Sequence, residues 1–163
     1  GDTVRLIGRD PPRVLITGRT SYTLSAFGEH LIGEEIEDAV SAAADAIAIG
    51  VNDYAVGTVH SVSSGDLGHH LYIVEFAEEL AEPQRLEAFA SILDEHLAAT
   101  NEDYAVHRAG GYGLKAPRVT AVAPGTFAAW MKSRGQLGGQ HKVPRVINDP
   151  DLFQALREFS DRA

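Results

Sequence analysis

Apolar side chains recur at helical spacing in several segments of this chain, and this pattern predicts four helices. From residue 33 to about residue 49, the apolar positions on one helical face are Ile36, Ala39, Val40, Ala43 and Ile47. From Pro83 to about residue 100, they are Leu86, Phe89, Ala90, Leu93 and Leu97. Two shorter helices are predicted, one over residues 126–132 and one that opens with Asp149 as N-cap and Pro150 in the first turn.

Alternating side chains predict the strands. In residues 54–62, larger side chains alternate with small ones, as in a strand with one closely covered face. Residues 69–76 form the strand that returns after a turn at residues 63–68, so these two strands should pair antiparallel. Short strands are also predicted over residues 14–16, 104–109 and 118–122, with a glycine-rich turn at residues 110–113.

The predicted elements follow the order strand, helix, strand, strand, helix, strand. This is the order of the split βαβ arrangement. We therefore predict an α+β fold, in which helices cover an antiparallel sheet and a short hinge strand precedes it. Many unrelated functions use this architecture, so it does not by itself indicate an activity.

Length and composition restrict the class of protein. A chain of 163 residues with 44% apolar side chains is long enough for one packed domain. The net charge of −9 argues against nucleic acid as the main partner, and the absence of cysteine excludes disulfides and thiolate metal sites. No apolar run is long enough to span a membrane and the N-terminus is not a signal peptide, so a cytoplasmic location is expected. Because the chain begins with Gly1 rather than methionine, we expect a fragment of a longer protein.

The charges are unevenly distributed along the chain. Residues 52–103 contain eleven acidic side chains and the single base Arg85, whereas residues 104–148 contain seven bases and no acid. A cationic segment on an acidic protein suits an anionic ligand such as phosphate. The alternative is an ordinary solvated surface.

Lys142 is the strongest candidate for a catalytic residue. It lies between a glycine-rich segment at residues 135–139 and Pro144, so its side chain could swing towards a partner while the following backbone is held. The alternative is a solvated surface lysine.

The histidines do not predict a metal site. His69 and His70 are adjacent in a strand and point to opposite faces, so they cannot chelate one ion. His60 could face one of them across the hairpin, and with no carboxylate expected nearby we interpret these residues as a structural histidine pair.

Two motifs carry a family resemblance. Gly18-Arg19, Gly28, Leu31 and Glu35-Ile36-Glu37 resemble the hinge motif of the superfamily of acyl-CoA synthetases, adenylation domains and luciferases, and Gly1-Asp2 resembles the end of its preceding Thr-Gly-Asp motif. The variant SAFGEHL at residues 25–31 resembles the acyl-acid amido synthetases of the auxin-responsive promoter family. QHKVPR at residues 140–145 is similar to that family's signature near its C-terminus.

The resemblance implies a division into domains and a function. Residues 1–20 would form a hinge and the end of the preceding domain's motif, and residues 21–163 would form the C-terminal lid of an ATP-dependent ligase. Such an enzyme joins a carboxylic acid to AMP with the aid of Mg²⁺, then passes the acyl group to an amino acid. Its partners would be the N-terminal adenylation domain of the same polypeptide and these small substrates, with no nucleic acid and no membrane, and the fragment alone should be inactive.

The resemblance also implies roles for individual residues. Lys142 would neutralise charge between the acyl carboxylate and the α-phosphate. Asp2 and Arg19 would bind the ribose, and Ser21 would stand at the hinge. Arg145 would help to bind the same anion or would tie its loop to a carboxylate. The loop before residue 33 could present Arg19, Glu29 and His30 outward, His30 as a phosphate contact, but we favour Glu29 and His30 as residues that cap the loop.

Two alternatives remain open at this point. One is the lid of an acyl-CoA ligase or another adenylate-forming enzyme. The other is a stand-alone module that binds a small anion or dimerises through its sheet. The acyl acid and the amino acid cannot be named, because neither pocket is expected in this part of the enzyme.

Overall fold

The computed structural model describes residues 2–19, 22–61, 67–80, 82–109, 113–136, 138 and 141–162, apart from the side chains of residues 2, 3 and 17–19. The elements in chain order are β1 (Asp2–Arg9), β2 (Pro12–Arg19), β3 (Thr23–Leu24), β4 (Leu31–Ile32), α1 (Gly33–Ala46), β5 (Val51–Val59), β6 (His69–Phe76), α2 (Pro83–Thr100), α3 (Glu102–Arg108), β7 (Arg118–Val122), α4 (Thr126–Ser133), β8 (Val146–Ile147) and α5 (Pro150–Ser160). The predicted α+β fold class is confirmed.

The main sheet is mixed rather than wholly antiparallel. Its order is β7-β6-β5-β8. The central strands β5 and β6 pair antiparallel, as predicted, whereas β7 runs parallel to β6 and β8 runs parallel to β5. The expectation of an antiparallel sheet is therefore wrong at both edges, because α2 and α3 carry the chain across the sheet and return it parallel to β6, and α4 then carries it to the opposite edge, where β8 runs in the direction of β5.

The strand predicted at residues 14–16 does not join this sheet. It lies within β2, which pairs antiparallel with β1 in a separate two-stranded hairpin. The position beside β5 is occupied by β8, which no pattern in the sequence had indicated. A two-residue strand is too short to show an alternation.

Helices cover both faces of the sheet. On one face, α1 and α2 pack against Tyr72 and Val74 of β6 in a core that also contains Ile36, Val40, Phe89, Leu93 and Leu97. On the other face, α4 and α5 pack against Leu71 and Ile73, with Phe127, Trp130, Phe153 and Leu156 in the core. Adjacent residues of β6 therefore serve opposite cores, as the two-residue period of a strand requires.

The strand predicted over residues 104–109 is a helix, α3. The Asn101 side chain caps it by accepting a hydrogen bond from the backbone N–H of Tyr104 at 2.8 Å. The side chain of Tyr104 is buried, whereas that of Val106 is 62% exposed, so these two residues do not share a face as they would in a strand. The apparent alternation is too short to distinguish one turn of helix from a strand.

None of the helices in the described part of the chain combines the length and apolar character needed to cross a lipid bilayer.

Candidate functional site

A cleft of about 1010 Å³ lies between α1, the central strands, α4 and the segment that precedes β8. We call it the Lys142 cleft. Its carboxylates are Glu34, Glu37, Asp38, Asp53 and Glu75, and its cationic side chains are Lys142 and Arg145. Ile16 of the hairpin lines the same cleft, so β2 reaches its edge. The cleft carries more negative than positive charge.

Lys142 lies at this cleft with its side chain exposed. Among the described residues, none forms a hydrogen bond or ion pair with its ammonium group. The preceding segment contains Gly135 at φ 67° and Gly138 at φ 89°, in the left-handed region that favours glycine. The ammonium group is therefore available to a group outside the domain, which is the geometry that the predicted catalytic role requires.

Arg145 is held by the domain itself. Its Nη1 lies 2.7 Å from Oε1 of Glu37, and its Nε lies 3.8 Å from Oδ1 of Asp53. Its guanidinium carbon lies 5.0 Å from the centre of the Tyr54 ring. Burial lowers the pKa of Arg145, but the hydrogen bond and charge of Glu37 more than offset this effect and leave the pKa raised. Of the two predicted roles, the structure shows the tie to a carboxylate.

The ring below Arg145 stays neutral. Burial raises the pKa of Tyr54 to about 12, although the charge of Arg145 acts in the opposite direction. Tyr54 itself is almost fully buried. It therefore offers a flat, uncharged face to the guanidinium, as a cation–π contact requires.

Glu75 anchors helix α4 at the floor of the cleft. Its carboxylate is buried and accepts a hydrogen bond from the backbone N–H of Phe127 at 3.0 Å, in the first turn of α4. Gly125, at the N-cap position, has no side chain to do so. The negative charge also suits the positive end of the helix dipole. Sequence reasoning missed this residue, although a carboxylate within an otherwise apolar strand was a signal.

The loop before β4 is fastened to the sheet by Glu29. This side chain is fully buried, with Oε2 accepting from the backbone N–H of Phe27 at 2.8 Å and Oε1 lying 2.7 Å from Nε2 of His70. Of the two roles weighed for Glu29, outward presentation and capping of the loop, the structure shows the favoured one, capping, because its charge is satisfied inside the domain.

His30 is exposed, and its backbone carbonyl accepts a hydrogen bond from Nδ2 of Asn101 at 2.9 Å. This contact fixes the backbone of the loop and leaves the imidazole at the surface. A phosphate contact by His30 stays a prediction.

One aromatic ring, that of Phe27, contacts both His60 and His70 of the predicted histidine pair. Phe27 lies 5.4 Å from His60 and 5.9 Å from His70 between ring centres. His70 is buried and has a carboxylate partner, Glu29, so the expectation of no nearby carboxylate is wrong for this residue. Within the described ranges, no group of three or more His, Cys, Asp or Glu side chains could hold a metal ion.

The strand pairing of the hairpin brings two predicted nucleotide-binding positions together. Asp2 and Arg19 are directly opposite each other in the register of β1 and β2. Their side chains, and the predicted hinge residue Ser21, lie outside what the structure describes. Ribose binding by Asp2 and Arg19 and the hinge role of Ser21 therefore stay predictions.

Comparison with known proteins identifies similar domains. The family model described as the GH3 family C-terminal domain matches residues 34–151. The structure matches an AtGH3.15 acyl acid amido synthetase in complex with 2,4-DB at a TM-score of 0.75, with 22% identity over 97% of this chain. A second structure of a GH3.15 acyl acid amido synthetase matches at a TM-score of 0.78, with 21% identity over 97% of this chain. The chain spans 29% of the length of each.

A third solved structure is more distant. It is a 2-hydroxyisobutyryl-CoA ligase in the postadenylation state, with a TM-score of 0.50 and 21% identity over 91% of this chain and 26% of that one. At these identities the structural matches show a shared fold. No curated protein sequence matches this chain.

Proposed function

Because this chain belongs to the GH3 family, whose C-terminal domain it carries, we propose that it is the lid of an ATP-dependent acyl-acid amido synthetase. The family resemblance in the sequence motifs agrees with this membership. In this proposal, residues 1–20 form the hinge region and residues 21–163 form the lid, which rotates against an N-terminal adenylation domain. The enzyme adenylates a carboxylic acid and conjugates it to an amino acid, in the cytoplasm.

The exposed apolar face of the hairpin supports the proposal that this domain is part of a larger protein. Val4 and Leu6 of β1 pair with Ile16 and Val14 of β2, and these four side chains are 57–68% exposed. A two-stranded hairpin is marginally stable by itself, and a contiguous apolar face of this kind marks a contact surface. We propose that this face packs against the N-terminal adenylation domain of the same polypeptide. Such a surface disfavours the stand-alone module.

The exposure of Lys142 is the observation that carries the catalytic part of the proposal. ATP, when bound, would supply the adenylyl group that activates the acid: a carboxylate oxygen bonds to the α-phosphorus as the bond from that phosphorus to pyrophosphate breaks. Lys142 would bring a positive charge to the point where negative charge accumulates between the acyl carboxylate and the α-phosphate. A preorganised cation in a site that excludes water stabilises that charge far more than it would in bulk solvent.

The described residues of this domain fit only part of a nucleotide site. They offer an exposed ammonium group and a cleft whose charged side chains are mainly carboxylates, which repel phosphate. We therefore assign Mg²⁺ and most of the ATP to the N-terminal domain. Asp2, Arg19 and His30 are the further positions of this chain that could contact the nucleotide.

The test of this proposal is Lys142→Ala in the full-length protein. Pyrophosphate release with a panel of carboxylic acids should fall by about 100-fold to 1000-fold in kcat, the range expected when a donor to a developing charge is removed. The matched control is Lys132→Ala, which removes an exposed lysine from α4 and should leave pyrophosphate release nearly unchanged. Wild-type activity of Lys142→Ala would contradict the proposed role.

A lid of an acyl-CoA ligase is the second candidate, favoured by the structural match to such an enzyme. The full-length protein distinguishes the two when it is given ATP, an acid and either an amino acid or coenzyme A. Formation of the amide with an amino acid supports the synthetase, whereas formation of a thioester alone supports the ligase.

A further inference from the structure

The guanidinium of Arg145 is fixed on more than one side by groups from α1 and β5. Glu37 lies 2.7 Å from Nη1, Asp53 lies 3.8 Å from Nε, and the ring of Tyr54 lies below the guanidinium plane at 5.0 Å. A planar guanidinium can form an ion pair and stack on a ring at the same time, which a lysine ammonium cannot do as well. Arg145 therefore has a defined position in the domain.

The backbone of the same residue is fixed to the same strand. The carbonyl oxygen of Arg145 accepts a hydrogen bond from the backbone N–H of Val56 at 2.8 Å. The next residue, Val146, is buried and pairs in parallel register with Val56. Both the side chain and the backbone at this position are thus attached to β5, at the start of the short strand β8.

This attachment lies three residues after Lys142. Three residues of fully extended chain span about 10–11 Å, so the attachment limits where the backbone of Lys142 can lie. Pro144, between them, restricts the backbone further. On the other side of Lys142, the segment contains glycines at positive φ and offers less restraint.

We propose that Arg145 is a positioning residue that acts through the backbone of residues 142–145 to hold Lys142 at the cleft, rather than a ligand of the nucleotide. The inference rests on the proposed function, because it requires Lys142 to take part in adenylation. The positive charge of Arg145 faces the carboxylates of Glu37 and Asp53, which leaves little of it for an anion. The Arg145 side chain is 43% exposed, but a phosphate that approached its remaining N–H groups would also approach the carboxylates of Glu37 and Asp53 and be repelled by them.

The experiment compares Arg145→Ala, Glu37→Ala and the double variant in the full-length enzyme. If Arg145 positions Lys142, each single variant lowers kcat for adenylation, by about 10-fold for Arg145→Ala, with KM for ATP within about twofold of wild type. The double variant should be no worse than Arg145→Ala, since the two residues act as one unit. Arg145→Lys should fail to restore kcat, because it keeps the charge but loses the planar contacts.

A nucleotide ligand gives the opposite pattern. Arg145→Ala would then raise KM for ATP, Arg145→Lys would restore part of the loss, and Glu37→Ala would have no adverse effect. That pattern would overturn the inference. Arg118→Ala, an exposed arginine on β7, is the control for a general loss of positive charge and should behave as wild type.

A structural measurement tests the positioning directly. Hydrogen exchange of the Val56 amide, which donates to the carbonyl of Arg145, should be faster in Arg145→Ala and Glu37→Ala than in wild type or Arg118→Ala, with the rest of the domain unchanged. Unchanged exchange at this amide would overturn the inference. This readout also shows whether a variant has unfolded, because exchange would then rise throughout.

Lys142→Ala in the same assays separates the two proposals. An impaired Lys142→Ala together with a fully active Arg145→Ala overturns only the positioning role. A fully active Lys142→Ala overturns the catalytic role proposed for Lys142 and the positioning role with it, whereas a wild-type full-length protein that adenylates no acid overturns the proposed function itself.

Discussion

Replacing Glu29 by alanine should destabilise the domain more than any replacement of a surface carboxylate. The Glu29 carboxylate is fully buried and has two partners, the backbone N–H of Phe27 and the imidazole of His70. In the alanine variant, the N–H of Phe27 loses its acceptor. His70, whose Nδ1 already has no partner, would then have no partner at either ring nitrogen.

The expected loss follows from the burial of both groups. Leaving a buried donor without its acceptor costs about 1–3 kcal/mol, so the two donors that lose Glu29 should together cost about 2–6 kcal/mol. For a chain of this length, each kcal/mol shifts the thermal midpoint by about 2–4 °C, so Glu29→Ala should lower it by roughly 4–24 °C. Glu29→Gln should cost only about 1 kcal/mol, because its amide oxygen can still accept from the N–H of Phe27 and its amide nitrogen can donate to Nε2 of His70.

The assay is thermal and urea unfolding of the 163-residue chain, followed by circular dichroism. Glu87→Ala, at an exposed position on α2, is the matched control and should lie within about 0.5 kcal/mol of wild type. If Glu29→Ala unfolds at the same midpoint as this control, the buried pair does not hold the loop and the reasoning is refuted.

The same pair gives the stability a defined pH dependence. Burial raises the pKa of Glu29, but the hydrogen bond and electrostatic interaction with His70 and the N–H of Phe27 together outweigh burial and lower it below its ordinary value of 4.5. A carboxyl group with a lowered folded-state pKa contributes stability above its unfolded-state pKa and loses it as the pH falls through the folded-state pKa. Wild type should therefore have its full advantage over Glu29→Gln above about pH 4.5 and lose it progressively as the pH falls below that value, and an advantage that grows as the pH falls would contradict this assignment.

Two further predictions concern the packing of α5. Gly57→Ala should cost about 1–3 kcal/mol in urea unfolding, because its new Cβ would lie 2.6 Å from the ring of Phe153, and an unchanged midpoint would show that the ring can move freely. Asp149→Ala should cost about 1 kcal/mol in thermal unfolding, since its carboxylate caps α5 by accepting from the N–H groups of Asp151 and Leu152 at 3.0 and 3.1 Å, whereas Asp149→Asn should remain near wild type.

Local patterns in the sequence were sufficient to predict the bounds of several helices and strands. Strand β6, helix α2 and strand β7 begin and end at the predicted residues, because strand alternation and a proline in the first helical turn are both local signals. Helix α3 was mistaken for a strand because only one of its residues is buried, so its seven residues show no helical face.

Contacts between distant residues could not be predicted in the same way. Glu29 meets His70 across 41 positions of the chain, and Glu75 meets the N-terminus of α4 across 52. Both carboxylates are in the sequence, but a single sequence carries no signal for which group each will contact after folding. The parallel direction of β7 was missed for a related reason. It depends on how α2 and α3 carry the chain from β6 back across the sheet, and not on the residues of β7 itself.

The basic segment at residues 104–148 suited an anionic ligand, with an ordinary solvated surface as the alternative, and the structure places its charges in separate contacts. Arg108 pairs with Asp94, Arg145 pairs with Glu37, and Arg134 lies over the ring of Trp130. In the part of the cleft that the structure describes, Lys142 is the charged base left without a carboxylate partner, and the surrounding walls are acidic. Such a cleft repels a nucleotide from the isolated domain. In the proposed function, the ammonium of Lys142 would act only when another part of the enzyme holds the anion, and we therefore expect this chain alone to have no ligase activity.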